Sequence, residues 1–180
     1  MTIDLINEFE LNELMQSELS LLLNTCFPST DYGGRIYLKQ LPHSRLVMKI
    51  ENKIVGHLAI DYRIMNLNDT VVTVMGVIDL VILPAQQGRG LGSKLMREVE
   101  RIAVLNNRNI DFLFLVTDNP IFYNRLGYIA TSQHVTWLKI HNGINGGLGQ
   151  ERIDDCFLMF KSITNKKWND GSLDMLGYWY

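Results

Sequence analysis

The chain has 180 residues, 47% of them hydrophobic and 20% charged, with a formal net charge of −2. That length points to one domain able to bury roughly 70% of its unfolded surface, so no disulfide or metal staple is needed. The composition excludes a disordered, collagen-like or coiled-coil chain, and the charge argues against a protein that mainly grips nucleic-acid phosphates.

In chain order, Ile3–Ile6 reads as a short strand. Leu11, Leu14, Met15, Leu19, Leu22 and Leu23 recur at helical spacing ahead of Pro28, which predicts an amphipathic helix over about residues 10–26 with an acidic outer face. Arg45–Ile50 and Ile54–Met65 read as strands joined by a turn at Glu51-Asn52-Lys53, and strand-like Thr70–Met75 and Gly76–Leu83 follow the turn Asn66–Asp69. After Pro84 and a glycine-rich turn, Leu91, Leu95, Val99, Ile102 and Ala103 mark one face of a second helix. Phe112–Val116 suits a buried strand, and Pro120–Leu126 a short helix ended by Gly127. The strand-like runs His134–Ile140 and Cys156–Ile163 flank a glycine-rich stretch, Asn142–Gln150, read as a surface loop with a substrate lid as the alternative. This order describes an α+β domain spanning residues 1–180 without a linker or repeat.

No Lys or Arg precedes Arg35, the reverse of a secretory or transit segment, and no apolar run approaches the ~20 residues of a membrane span. Cys26 and Cys156 lack paired spacing, which suits reduced thiols. The expectation is a cytoplasmic protein with no nucleic-acid or membrane partner, and a homodimer is left open. The four histidines show no metal-ligand spacing, so no metal is expected.

The segment from Leu80 to Ser93 carries the chemistry. A strand ends at Leu80-Val81-Ile82, three glycines stand at alternate positions in Gln87-Gly88-Arg89-Gly90-Leu91-Gly92, and a helix begins before Ser93. Backbone N–H groups at such a helix start, with no Cβ in the way, form an anion cradle. A dinucleotide fingerprint would put glycine at Ser93, and a P-loop would need Gly-Lys-Ser/Thr; neither is present.

The same six residues, Gln87 to Gly92, resemble the pyrophosphate-binding signature of the GNAT superfamily of acetyl-CoA-dependent N-acyltransferases, Gln/Arg-x-x-Gly-x-Gly/Ala. Phe122-Tyr123-Asn124-Arg125-Leu126-Gly127-Tyr128 resembles that family's Phe-Tyr-x-x-x-Gly-Phe/Tyr segment, in the expected order after Phe112–Val116. The likeness covers about residues 45–131. It implies a mixed, mostly antiparallel central sheet, splayed between the fourth and fifth strands and flanked by helices. It also implies acetyl-CoA as acyl donor, with Leu80, Val81 and Ile82 offering backbone N–H groups to the pantetheine arm and thioester carbonyl, and residues 87–93 holding the pyrophosphate. Tyr123 is implied as the acid beside the sulfur; a core aromatic at a helix end is the other reading. Many members carry asparagine where this chain has Val116, and Asn119 is the nearby substitute for its contact to the cofactor arm.

Asp79 is the one carboxylate inside Val77–Leu83, where desolvation raises a carboxyl toward the range of a useful base. It stands as a candidate for deprotonating the amine, directly or through water, beside the alternative of a structural partner. Asp154-Asp155, with Asp174 and the aromatic tail Tyr178-Trp179-Tyr180, look like the carboxyl end of aminoglycoside 2′-N-acetyltransferases, and the strand-to-helix region looks like the nodulation N-acyltransferases. That likeness points to a small-molecule amine acceptor, an aminoglycoside, aminosugar or polyamine, with the three aspartates facing its positive charge; a solvated turn and a packed tail are the alternative. A non-catalytic acyl-CoA-binding module and an acetyltransferase acting on a protein amine also remain open.

Overall fold

Period-two alternation becomes strands and 3.6-residue periodicity becomes helices in the computed structural model, which describes residues 1–180 apart from the side chains of Asp155 and Cys156. The elements are β1 (Thr2–Asn7), α1 (Glu13–Cys26), β2 (Ser44–Ile50), β3 (Lys53–Leu67), β4 (Thr70–Ile82), α2 (Leu91–Leu105), β5 (Phe112–Val116), α3 (Pro120–Asn124), β6 (Ile129–His141), β7 (Ile144–Ser162) and β8 (Ser172–Tyr178). The class is α+β, as the element order leads one to expect. The chain divides into two compact units, Met1–Asp61 with Ile78–Val99, and Tyr62–Val77 with Glu100–Tyr180. Among the described residues, no helix is long and apolar enough to cross a membrane.

In the first unit, β1 pairs antiparallel with β2, from Thr2↔Lys49 to Asn7↔Ser44, and β2 with β3. Glu51 and Asn52 both take left-handed backbone, φ 50° and 62°, and close the β2–β3 turn so tightly that Lys53 already belongs to β3. The first helix starts later than its apolar periodicity suggests. Residues Glu8–Glu10 form a 3₁₀ turn, and the Asn12 side chain caps α1 by accepting from the Met15 N–H at 2.9 Å. The buried face of α1, Leu19, Leu22 and Leu23, packs with Tyr32, Ile36, Val47 and Val81. Each such leucine contributes on the order of 1.5–3 kcal/mol by leaving water. Gly56 in β3 lets the end of β4 come close, since a Cβ there would meet the Ile82 side chain at 2.6 Å.

In the second unit the strand order is β4-β5-β7-β6-β8, with an additional antiparallel contact of β3 to β8 at Asn66↔Asp174 and Leu67↔Leu173. The β4–β5 and β6–β8 pairs are parallel, and β5–β7 and β6–β7 antiparallel. The β4–β5 register runs from Val74↔Phe112 to Val77↔Leu115, and β4 continues to Ile82 beyond its last β5 partner. Thr70–Met75 and Gly76–Leu83, expected as two strands, are one, because Gly76 does not break it. Its bare Cα lies under the Tyr180 ring, which a Cβ would strike at 2.2 Å. Met65, Val74, Phe112, Phe114, Leu158, Leu173 and Met175 form the core, and the Trp168 indole stacks on Phe160 with ring centroids 4.5 Å apart.

Two stretches of this unit differ from the sequence-based expectation. The glycine-rich segment 142–150 is a β hairpin in which only Asn142 and Gly143 turn; residues from Ile144 onward pair with β6. Gly149 is there for close approach: a Cβ would lie 2.4 Å from the Trp137 indole opposite. The carboxyl-terminal stretch is a strand, β8, whose alternating Leu173 and Met175 are fully buried, and Trp179 and Tyr180 pack on the same core.

Candidate active site

The first unit holds the cradle. Pro84–Gln86 makes a 3₁₀ turn after β4, and the Gln87 side-chain amide donates back to the Ile82 carbonyl at 2.9 Å, tying the loop to the strand end. Gly88 and Gly90 both have left-handed backbone, φ 73° and 72°, with no atom within 4 Å of where a Cβ would stand. The first hydrogen bond of α2 runs from the Lys94 N–H to the Gly90 carbonyl at 3.1 Å, so the amides of Leu91, Gly92 and Ser93 have no acceptor within the helix. No acidic residue occupies the first turn of α2 to compete for that positive end. Arg89, whose guanidinium donates to the Gln86 side-chain carbonyl, and Lys94 add exposed positive charge. Residues 87–93 thus form one continuous turn whose helix-start amides are open to an anion.

Asp79 sits two residues past Val77, the last β4 residue paired with β5, and its φ of 51° puts a kink in the strand. Asp tolerates this left-handed conformation better than most residues. The Asp79 carbonyl faces Nδ1 of His57 at 3.2 Å, and the other ring nitrogen, Nε2, lies 3.1 Å from Nη1 of Arg45. Arg45 is wholly buried and donates twice to Glu8, from Nε at 2.6 Å and from Nη2 at 2.9 Å. A guanidinium has donors only, so His57 Nε2 accepts, and Nδ1 carries the proton that the Asp79 carbonyl receives. Burial, and then the Arg45 charge, push His57 down to about 3, which keeps the ring neutral. The Asp79 carboxylate accepts from the buried Tyr32 hydroxyl. Its pKa is raised by burial, against the opposing pull of Arg45, the Tyr32 hydrogen bond and Lys39.

Sequence spacing singles out Asp79 but not Glu8, Tyr32, Arg45 or His57, which meet it only in the fold. The available signal was compositional: Arg45 borders the apolar run Leu46–Met48, and His57 stands inside the apolar run Ile54–Ile60.

The second unit holds Tyr123, at the end of α3. Its hydroxyl is pushed up to about 12 by burial and then by Asp118, so it keeps its proton throughout the neutral range. Its ring packs edge-on against Phe122 at 4.9 Å and Tyr128 at 5.8 Å. Gly127, φ 82°, ends the α3 turn, and the Tyr128 N–H returns to the Tyr123 carbonyl at 3.1 Å. Asn119 is exposed at the α3 N-cap with no side-chain capping bond, and Val116 lies within β5 opposite Leu158.

Of the acidic residues expected at an acceptor site, Asp154 and Asp174 stand on different strands. Asp154 is exposed and ion-paired with Arg152 at 3.0 Å, while Asp174 accepts from the Leu176 N–H at 2.9 Å. They lie on strands on opposite sides of β6, and Asp174 faces Thr136 whereas Ile153, next to Asp154, faces Gln133. The side chain of Asp155 is outside the described residues.

Residues 42–130 match the family model of the acetyltransferase (GNAT) domain. That stretch of the chain is a GNAT acetyltransferase domain. Its fold is similar to that of a GNAT family acetyltransferase from Brucella melitensis in complex with acetyl-CoA, at 18% identity, over 96% of this chain and 94% of that one, with a TM-score of 0.58. The GNAT family N-acetyltransferase YhbS from Escherichia coli, in complex with CoA, is similar at 15% identity over 96% of this chain and 88% of that one, TM-score 0.61. A GCN5-related N-acetyltransferase from Anabaena variabilis is similar at 19% identity over 72% of this chain and 32% of that one, TM-score 0.59. The chain thus spans about a third of the length of that GNAT protein. At these identities the likeness is one of fold. No curated protein matches the sequence.

Proposed function

We propose that this GNAT chain transfers an acetyl group from acetyl-CoA to the primary amine of a small polar acceptor. The observation that carries the proposal is the cradle: two left-handed glycines with open space above them, followed by three helix-start amides and flanked by Arg89 and Lys94. That donor set fits a pyrophosphate, and the likeness of fold to the Brucella melitensis and Escherichia coli proteins, which hold acetyl-CoA and CoA, supports the same donor here. When bound, acetyl-CoA supplies an activated thioester.

The remaining steps fall to the chain's own residues. The amides from Gly88 to Ser93 hold the diphosphate, and the edge of β4 past Val77, at Leu80–Ile82, orients the extended arm. The Leu80 N–H donates to the carbonyl oxygen as negative charge develops there. Asp79, with Tyr32 on its carboxylate, takes the proton that the amine loses as the C–N bond forms. Tyr123 supplies the proton that the thiolate gains as the C–S bond breaks. For the acceptor, the first unit offers a groove of about 800 Å³ between α1 and residues 34–37, lined by Glu13, Gln16, Ser17, Ser20, Asn24 and Arg35 among others. One carboxylate and one guanidinium among amides and hydroxyls suit an amine that also carries several hydroxyl groups, such as an aminosugar.

Release of free thiol from acetyl-CoA against a panel of amines, aminoglycosides and peptides tests the reading. Acceptor-dependent release is expected with a small amine; tight acetyl-CoA binding without release for any acceptor would make the chain a binding module instead. For the base, kcat/KM should rise with pH through an ionisation above the usual carboxylate range, because burial raises Asp79 and only its ionised form accepts a proton. Asp79→Asn should remove that limb and cost ~10² or more in rate. Repeating the profile with an acceptor of different amine pKa separates the limbs, since the amine limb moves and the carboxylate limb stays.

A further inference from the structure

The Glu8–Arg45–His57 chain ends on a backbone atom, the Asp79 carbonyl, and not on a reacting side chain. That termination is unusual in its consequences. The Asp79–Leu80 peptide is trans, so the carbonyl of Asp79 and the N–H of Leu80 point in opposite directions from one rigid plane. Whatever holds the carbonyl therefore aims the amide. In a regular strand a carbonyl is held by a neighbouring strand's N–H; at Asp79, where φ is 51°, the His57 side chain holds it.

The holder is itself immobilised. The His57 ring is wholly buried in β3, its second nitrogen is fixed by Arg45 at 3.1 Å, and the Arg45 guanidinium is gripped at two nitrogens by Glu8. Glu8 is in turn anchored through its backbone N–H, which donates to the His43 carbonyl at 3.1 Å. Each link permits one orientation only: the carboxylate accepts, the guanidinium donates, and the imidazole must accept on Nε2 and donate from Nδ1.

We infer that His57 is a positioning residue, which, locked by Arg45 and Glu8, holds the Asp79–Leu80 peptide so that the Leu80 N–H points away from the imidazole and toward the carbonyl oxygen of the acyl donor. The inference rests on the acyl-transfer reading above. It adds to that reading a side chain whose hydrogen-bond donor, not its charge or its bulk, sets turnover.

Two amide substitutions separate donor from bulk. His57→Asn keeps a donor near the Nδ1 position, and His57→Gln keeps an acceptor near the Nε2 position; both remove one of the two bonds. The inference expects His57→Gln to lower kcat by ~10², the scale of a lost oxyanion donor, with KM for acetyl-CoA unchanged, and His57→Asn to retain most turnover. A merely structural histidine would make the two variants alike, so equal kcat values, whether both kept or both lost, would overturn it. Because a buried histidine can be needed for folding, ¹⁵N resonances of the imidazole in the wild-type chain provide the second measurement. They should show a neutral ring protonated at Nδ1 between pH 5 and 8, and an Nε2-protonated or charged ring would overturn the relay. If the wild-type chain releases no thiol with any acceptor, the functional reading fails, while the imidazole spectrum still judges the relay.

Discussion

Replacing Tyr123 by phenylalanine is expected to lower kcat by ~10² to 10⁴ while leaving acetyl-CoA affinity nearly unchanged. The substitution removes one oxygen and keeps the ring, so the edge-on contacts with Phe122 and Tyr128 survive. What it removes is a proton held tightly, on a hydroxyl raised to about 12 by burial and by Asp118. Such a group stays protonated throughout the neutral range, and can donate as the thiolate departs. Steady-state rates with the acetyl-CoA affinity measured separately by calorimetry check it. Wild-type turnover in the phenylalanine variant would return Tyr123 to the core, as an aromatic that ends a helix.

The second large effect is expected at Gly90. Gly90→Glu places a side chain on backbone with φ 72°, which costs ~1–2 kcal/mol for an ordinary residue, and sets a carboxylate at the positive end of α2 where phosphate oxygens would lie. Acetyl-CoA affinity should fall by ~10² or more. Gly90→Ala carries the backbone strain without the charge, and since a Cβ there meets nothing within 4 Å, its loss should be much smaller. Calorimetry on both variants, with circular dichroism to confirm folding, separates strain from repulsion. Unchanged affinity in a folded glutamate variant would remove the basis of the acetyl-CoA reading.

Why these two positions were readable from sequence, and others were not, has a physical reason. A cradle made of backbone amides requires residues without Cβ atoms at left-handed positions, and Gly88 and Gly90 announce that requirement locally. The α1 face was legible for the same kind of reason, since Leu19, Leu22 and Leu23 repeat at the helical period. Glu8, Arg45 and His57 come from three different segments, and nothing in the spacing of 8, 45 and 57 shows that a strand pairing will stack them behind Asp79. The hairpin at 142–150 was misread because glycine signals both freedom and close approach. At Gly149 the second applies, and only the Trp137 indole across the ladder reveals it. Strand β8 is obscured in the sequence by the aromatic tail that follows its Leu173/Met175 alternation.

The buried imidazole also makes the protein sensitive to acid in a way unrelated to turnover. Free histidine in the unfolded chain takes up a proton near 6.5, whereas in the folded chain His57 resists until about 3. Between those limits the unfolded state binds one more proton, so the folded state loses ~1.4 kcal/mol for each unit that pH falls, and the full contribution returns only above 6.5. Urea midpoints should decline from pH 7 to pH 5, and His57→Asn, which cannot be protonated, should decline less over the same range. The chain thus carries a built-in lower bound on the acidity it can withstand, set by a residue that never meets the substrate.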